Sequence, residues 1–165
     1  MKTLFLVRHA KSVNHLTAAA DFNRTLNERG IRDATEMAKK LVKNNIMIDR
    51  FVSSPAIRAK LTAEFFVNQY NRKAEEIQFV PGLYHGSPEI FDRVISGFDD
   101  QFDHVAVFAH NPGITDYAAS LTSTRISHIP TGSVFAVASS IHSWKDFPDA
   151  KKDFIFFYTP RDGSF

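Results

Sequence analysis

The sequence predicts an α/β fold, a three-layer α/β/α sandwich around a mixed, mostly parallel six-stranded sheet. Short apolar runs bounded by polar and turn residues, such as Leu4–Val7 and Val105–Ala109, read as strands buried on both faces. Between such runs lie stretches with apolar residues at helical spacing. Strands that alternate with helices need crossover connections, and these make parallel neighbours. With 165 residues, 44% hydrophobic and 23% charged, the chain is expected to be one domain over residues 1–165.

Six strands are expected in order: Thr3–Val7, Arg50–Val52, Gln78–Val80, His104–Ala109, Val134–Ser139 and Phe154–Tyr158. Asn27-Glu28-Arg29-Gly30 can cap a helix that turns Ile31, Ala34, Met37, Ala38, Leu41 and Val42 inward. Ser54-Pro55 opens a second helix, with Pro at its first position and Ile57, Leu61, Phe65 and Phe66 on its inner face. Pro88 starts a third, with Ile90, Phe91, Val94 and Ile95 inward. Asn111-Pro112 opens a fourth that contains Ile114, Ala118 and Leu121. Ile141 to Ala150 shows no clear period, and Trp144 is expected to cap an edge of the core. The tail from Pro160 to Phe165 reads as a loose end.

Bulk properties exclude several functional classes. A formal net charge of +2 is too small to imply a nucleic-acid or membrane partner. With no Cys, there is no disulfide scaffold, thiolate metal site or cysteine nucleophile, and a reducing cytoplasmic location is expected. Arg8 interrupts the first apolar run too early for an export signal. The seven His are scattered, with no His-x-His or His-Glu-x-x-His pair, so no metal is expected. The glycines form neither a dinucleotide fingerprint nor a P-loop, and no cofactor is expected.

Four residues share one kind of location. Arg8 and His9 follow the first strand, His110 follows the fourth, and Arg58 falls in the first helical turn after the second. Ligands of open α/β sheets bind beyond the carboxyl ends of strands, where helix N-termini attract phosphate. Arginines offer permanently charged donor forks matched to phosphate oxygens. A neutral imidazole is a competent nucleophile near pH 7 without an activating base. One His can therefore attack phosphorus while the arginines and the second His hold the oxygens.

Leu4-Phe5-Leu6-Val7-Arg8-His9-Ala10-Lys11-Ser12 resembles the "RHG" signature of the histidine phosphatase (phosphoglycerate mutase-like) superfamily, in the form used by its short SixA-like, phosphohistidine phosphatase branch. Asp21-Phe22-Asn23-Arg24-Thr25-Leu26-Asn27-Glu28-Arg29-Gly30 is similar to that branch's "DFxRPLxxRG" segment. Ser53-Ser54-Pro55-Ala56-Ile57-Arg58-Ala59-Lys60-Leu61-Thr62-Ala63-Glu64 is similar to its "SSPAxRAxxTAE" opening. Ala109-His110-Asn111-Pro112-Gly113-Ile114 resembles "GHNPGL", and Ile129-Pro130-Thr131-Gly132-Ser133 resembles "LPTG".

The resemblance implies a phosphoglycerate mutase-like fold and a catalytic pair, His9 and His110. His9 would be the nucleophile that carries a phosphohistidine intermediate, and Arg8, Arg58 and His110 the phosphate pocket, with inorganic phosphate as product. It also implies a phosphorylated substrate, with a histidine-containing phosphotransfer or carrier protein as its bearer. Ala109 stands where the family usually has Gly, and Thr25 where the branch prefers Pro. Larger members carry an acidic proton donor in a segment to which Pro81–Glu89 shows no match; His85 and Glu89 are the candidates for that role and for the pocket edge. A phosphorylated imidazole needs less help with its leaving group than a sugar alcohol does.

Lys11 and Ser12 are expected at the pocket edge, a solvated rim being the alternative. His15, His104, His128 and His142 read as structural or surface histidines, Asn111 as a helix cap, and Arg24 as a loop cation that braces the fold. Tyr84 lies with His85 in the loop that would border the pocket. Two other functions compete: a phosphatase of a small phosphorylated metabolite, and a non-catalytic phospho-binding module.

Overall fold

The computed structural model describes residues 1–14 and 18–160. His15 and the tail beyond Pro160 lie outside the described residues. The elements run β1 (Lys2–Arg8), α1 (Ala18–Asp21), α2 (Glu28–Lys43), β2 (Arg50–Ser53), α3 (Ile57–Gln69), β3 (Gln78–Phe79), α4 (Pro88–Ser96), β4 (His104–Ala109), α5 (Gly113–Leu121), β5 (Val134–Ser139) and β6 (Asp153–Tyr158). All six expected strands form, with ends shifted by at most one residue. The four-residue α1 and three 3₁₀ turns (Ala74–Glu76, Pro81–Leu83 and Trp144–Asp149) add to the expected helices.

The strands form one six-stranded sheet in the order β3-β2-β4-β1-β5-β6. β3, β2, β4 and β1 are mutually parallel, while β5 runs antiparallel to both β1 and β6. β1 and β4 are central, and their alternating side chains feed opposite faces. Leu4, Leu6, Val105, Val107 and Phe135 join Phe91, Ile95, Ile114, Tyr117, Trp144 and Phe147 on one face. Phe5, Val7, Ala106, Phe108 and Val134 pack against Met37, Leu41, Phe66 and Val67 on the other. This accounts for the three layers. Among the described residues, no helix is long and apolar enough to cross a membrane.

Helix faces depart from expectation in identifiable ways. Asn27 caps α2 through Oδ1, which accepts the Gly30 amide at 2.8 Å, but Ile31 and Val42 are exposed at 44% and 40%. The buried stripe is the narrower Gly30, Ala34, Met37, Ala38 and Leu41. Pro55 does not open α3, whose cap is Ala56. The buried face of α3 comprises Arg58, Ala59, Thr62, Ala63, Phe66 and Val67. Leu61 and Phe65 are half-buried against Ala10, Leu26 and Ala34. Trp144 is fully buried rather than at a core edge, and its indole N–H donates to the Phe102 carbonyl at 2.7 Å.

The loop before α4 is seated on the start of α5 by two glycines. A Cβ at Gly113 would lie 1.9 Å from the Gly86 carbonyl oxygen, so only glycine permits this approach. Gly113→Ala is therefore expected to destabilise the fold by about 1–3 kcal/mol in urea unfolding. An unchanged midpoint and slope would show that the loop is free to move off α5.

Candidate active site

The site grows out of the β1–β4 pairing. Their parallel register places Arg8 opposite Ala109, so His9 and His110 emerge side by side at the carboxyl edge of the sheet. The imidazole centroids are 5.1 Å apart, and both residues are buried. The turn before β5 secures this edge: Gly132 N–H is shared between the Arg8 and His9 carbonyls at 3.1 Å each, and Arg8 N–H donates to Ser133 O. Gly132 adopts φ +74°, which favours glycine. On the α3 side, Thr62 Oγ1 accepts the Ala10 amide at 2.9 Å and donates to the Arg58 carbonyl at 2.7 Å.

His9 is held in one tautomer. Its Nδ1–H donates to the Ala10 carbonyl at 2.8 Å, leaving an Nε2 lone pair that accepts Arg58 Nε–H at 3.4 Å. Burial, with the charges of Arg58, Arg8 and Arg24 adding to it, lowers the His9 pKa to about 3. His110 Nε2 shares a 2.8 Å hydrogen bond with Ser54 Oγ, and its buried Nδ1 has no partner among the described residues. Burial first, then His9 and Arg58, lowers His110 to about 2. Both imidazoles are thus neutral at physiological pH.

The cations are fixed differently. Arg8 donates from Nη1 to the Ile129 carbonyl at 2.9 Å, and its buried Nε has no partner among the described residues. Burial and the nearby Arg58 pull its pKa below the ordinary arginine value, and a guanidinium remains charged there. Arg58 donates from Nη1 to the Asp21 carbonyl at 2.6 Å and from Nη2 to Asp21 Oδ2 at 3.1 Å. Asp21 Oδ1 also pairs with Arg24 Nε at 3.0 Å, and Oδ2 accepts the Tyr84 hydroxyl. The Tyr84 ring stands edge-on to His110 at 5.6 Å and to Phe22 at 5.2 Å. Arg24 is therefore the expected brace, through Asp21.

Of the expected residues, Arg8, His9, Arg58 and His110 converge. A cavity of about 280 Å³ opens beside His110, lined by Tyr84, His85, Ser87, Asn111 and Asp116 among others. His85 thus borders it. Glu89 does not line it; its carboxylate is exposed and is held below the usual range by its own backbone amide and then Ser87. An exposed carboxylate at a helix start complements the helix dipole. Lys11 and Ser12 do not line this cavity either. Ser12 bridges to Leu26, and the Lys11 carbonyl accepts the Asn27 amide, so this segment is held against the start of α2.

Asn111 is not the helix cap. Its Oδ1 accepts Thr115 Oγ1–H at 2.6 Å and its Nδ2 donates to Ile129 O at 3.1 Å, tying α5 to the loop that holds Arg8. His104 is structural, beside Asp49 at 3.2 Å. Ser54 and Asp21 were not singled out by the sequence. The only signal either offered was a place inside a motif.

Chemically, the arrangement has the charge to receive an anion and a neutral imidazole able to act as a nucleophile: two guanidiniums, a second imidazole, and an Nε2 lone pair that faces Arg58. The family comparison agrees with that reading. The model of the histidine phosphatase superfamily (branch 1) matches residues 4–84. Over those residues, which hold Arg8, His9 and Arg58, the chain is similar to the histidine phosphatase superfamily.

Particular relatives lie at greater sequence distance. A Mycobacterium leprae (strain TN) protein is 26% identical over 170 residues, covering 94% of this chain and all of its own. A protein assigned as phosphohistidine phosphatase SixA in Agrobacterium tumefaciens matches in fold with a TM-score of 0.81 at 21% identity, covering 96% of this chain and 98% of its own. The protein histidine phosphatase SixA complexed with tungstate gives 0.80 at 22%, covering 96% and 97%. The Shigella flexneri alpha-ribazole phosphatase gives 0.69 at 12%, covering 96% of each chain.

The depressed histidines make stability depend on pH with a definite sign. Between the ordinary value of 6.5 and the folded values near 3 and 2, the unfolded chain takes up protons that the folded site refuses. Stability is therefore lost as pH falls through that window, by up to about 1.4 kcal/mol per pH unit for each group. His9→Gln should show a shallower loss than wild type in urea unfolding from pH 6.5 to 4. Equal slopes would contradict a neutral buried His9.

Proposed function

We propose that the chain is a metal-independent phosphatase that works through a phosphohistidine intermediate on His9 and removes the phosphoryl group from phosphohistidine borne by a phosphotransfer or carrier protein. The observation that carries this reading is the state of His9: Nδ1–H is engaged by Ala10, and the unprotonated Nε2 faces Arg58 Nε–H in a long 3.4 Å contact, beside His110. A neutral imidazole with its lone pair turned toward a guanidinium is arranged to attack phosphorus rather than to bind as a cation.

The His9 Nε2 lone pair forms a bond to phosphorus as the P–N bond of the substrate breaks. The leaving imidazole, protonated on its other nitrogen, departs as a neutral ring and needs no acid from the protein. This fits a site whose cavity lining does not include Glu89. Arg8, Arg58 and His110 hold the equatorial oxygens, where charge stabilisation is the main task. Water then attacks the phosphohistidine, releasing inorganic phosphate and restoring neutral His9. The fold likeness to a SixA bound to tungstate, a tetrahedral oxyanion, supports the pocket. The likeness to phosphohistidine phosphatases supports the substrate class.

Labelling quenched in alkaline detergent tests the reaction. Wild type incubated with a radiolabelled phosphohistidine protein should carry base-stable, acid-labile phosphate, and His9→Ala should carry none and show no turnover. Arg58→Ala should lower kcat/KM by roughly 10²–10³-fold. A panel of sugar and nucleoside monophosphates should be poor substrates. Preference for one of them would overturn the substrate class, and anion binding without any phosphoenzyme would make the chain a binding module.

A further inference from the structure

A guanidinium has five N–H donors arranged on distinct edges. In Arg58 the outer edge is spent on one residue: Nη1 donates to the Asp21 carbonyl at 2.6 Å and Nη2 to Asp21 Oδ2 at 3.1 Å. The inner edge, formed by Nε–H and the second Nη2–H, is the one turned to His9, with Nε 3.4 Å from His9 Nε2. Asp21 is itself fixed from three directions: Tyr84 O–H donates to Oδ2, Arg24 pairs with Oδ1 at 3.0 Å, and the neighbouring Phe22 carbonyl accepts the Ile57 amide at 3.0 Å at the start of α3.

We propose that Asp21 is a positioning residue, a clamp on the outer edge of Arg58 that presents its inner edge to a phosphoryl group on His9 Nε2. The assignment rests on the reading of His9 as the phosphoryl acceptor. Asp21 does not compete with the anion for Arg58, because the two use different donors. The Tyr84 hydrogen bond, with the charges of Arg58 and Arg24 adding to it, keeps its carboxyl below the usual range, so the clamp stays ionised. Tyr84, whose ring stands against His110 at 5.6 Å and lies under the Arg58 guanidinium at 5.9 Å, ties the same carboxylate to the His110 side of the site. One carboxylate oxygen thereby sets the relative placement of a guanidinium and an adjacent aromatic ring next to the two imidazoles.

A carboxylate beside an anion site works against ground-state binding, so its removal has two opposed effects. Loss of the charge favours anion binding, while loss of the clamp misplaces Arg58 in the transition state. Asp21→Asn, assayed with phosphoramidate as a small donor with a P–N bond, is expected to lower kcat by about 10- to 100-fold and to move KM by less than about threefold. Asp21→Glu should recover much of the loss.

The decisive comparison is a double-mutant cycle: in the Arg58→Ala background, Asp21→Asn should have no further effect, since the clamp has nothing to hold. A kcat within about twofold of wild type, or an equal loss in both backgrounds, would overturn the assignment. If wild type neither turns over phosphoramidate nor forms a phosphoenzyme, the functional reading fails. The clamp is then judged from the Arg58 ¹⁵Nε–H resonance, which should be distinct and slow to exchange in wild type and averaged in Asp21→Asn. Its persistence in that variant would overturn the clamp as well.

Discussion

The parallel pairing of β1 with β4, in the register that sets Arg8 opposite Ala109, is the constraint from which the site follows. Register in a buried pair is strongly specified, because a slip of one residue would turn Leu4 and Leu6 to the face that takes Phe5 and Val7. Those two sets belong to separate cores on opposite faces of the sheet. The same apolar alternation that seals the two cores therefore sets His9 beside His110. No separate interaction is needed to bring them together. The turn at Gly132 and the Thr62 hydroxyl then hold the carboxyl end of β1 in place.

A pocket that gathers two arginines near two buried imidazoles is electrostatically unfavourable until an anion arrives. Each imidazole responds by staying neutral, as the depressed values of His9 and His110 record. Arg58 is relieved by Asp21, and Arg8 by a backbone carbonyl. The concentration of positive charge that opposes folding is what the proposed reaction requires, since charge on the transferring phosphoryl oxygens is met by groups already in position.

The sheet and the four convergent residues were legible because both depend on local pattern. Buried strands read as unbroken apolar runs, and the strand ends carry the chemistry. What was not legible depends on long-range contacts. Ile57, Leu61 and Phe65 make a plausible apolar stripe, yet α3 is rotated so that Arg58 faces inward, where Asp21 and His9 receive it. Nothing in the sequence joins Tyr84 to Asp21, or Ser54 to His110, across such separations. Asn111 looked like a cap because it precedes a helix, but the loop carrying Ile129 takes its side chain instead. Glu89, attractive as an acid on the loop side of the pocket, sits exposed in the first turn of α4, where its charge complements the helix dipole.

Phosphoryl transfer to His9 is tested most directly by a crystal structure with orthovanadate, which adopts the trigonal-bipyramidal geometry of in-line displacement. The proposed mechanism predicts one vanadate with His9 Nε2 at an apical position and its equatorial oxygens within hydrogen-bond reach of Arg8, the inner edge of Arg58 and His110. Vanadate bound away from His9, or coordinated with the imidazole turned out of the pocket, would contradict it.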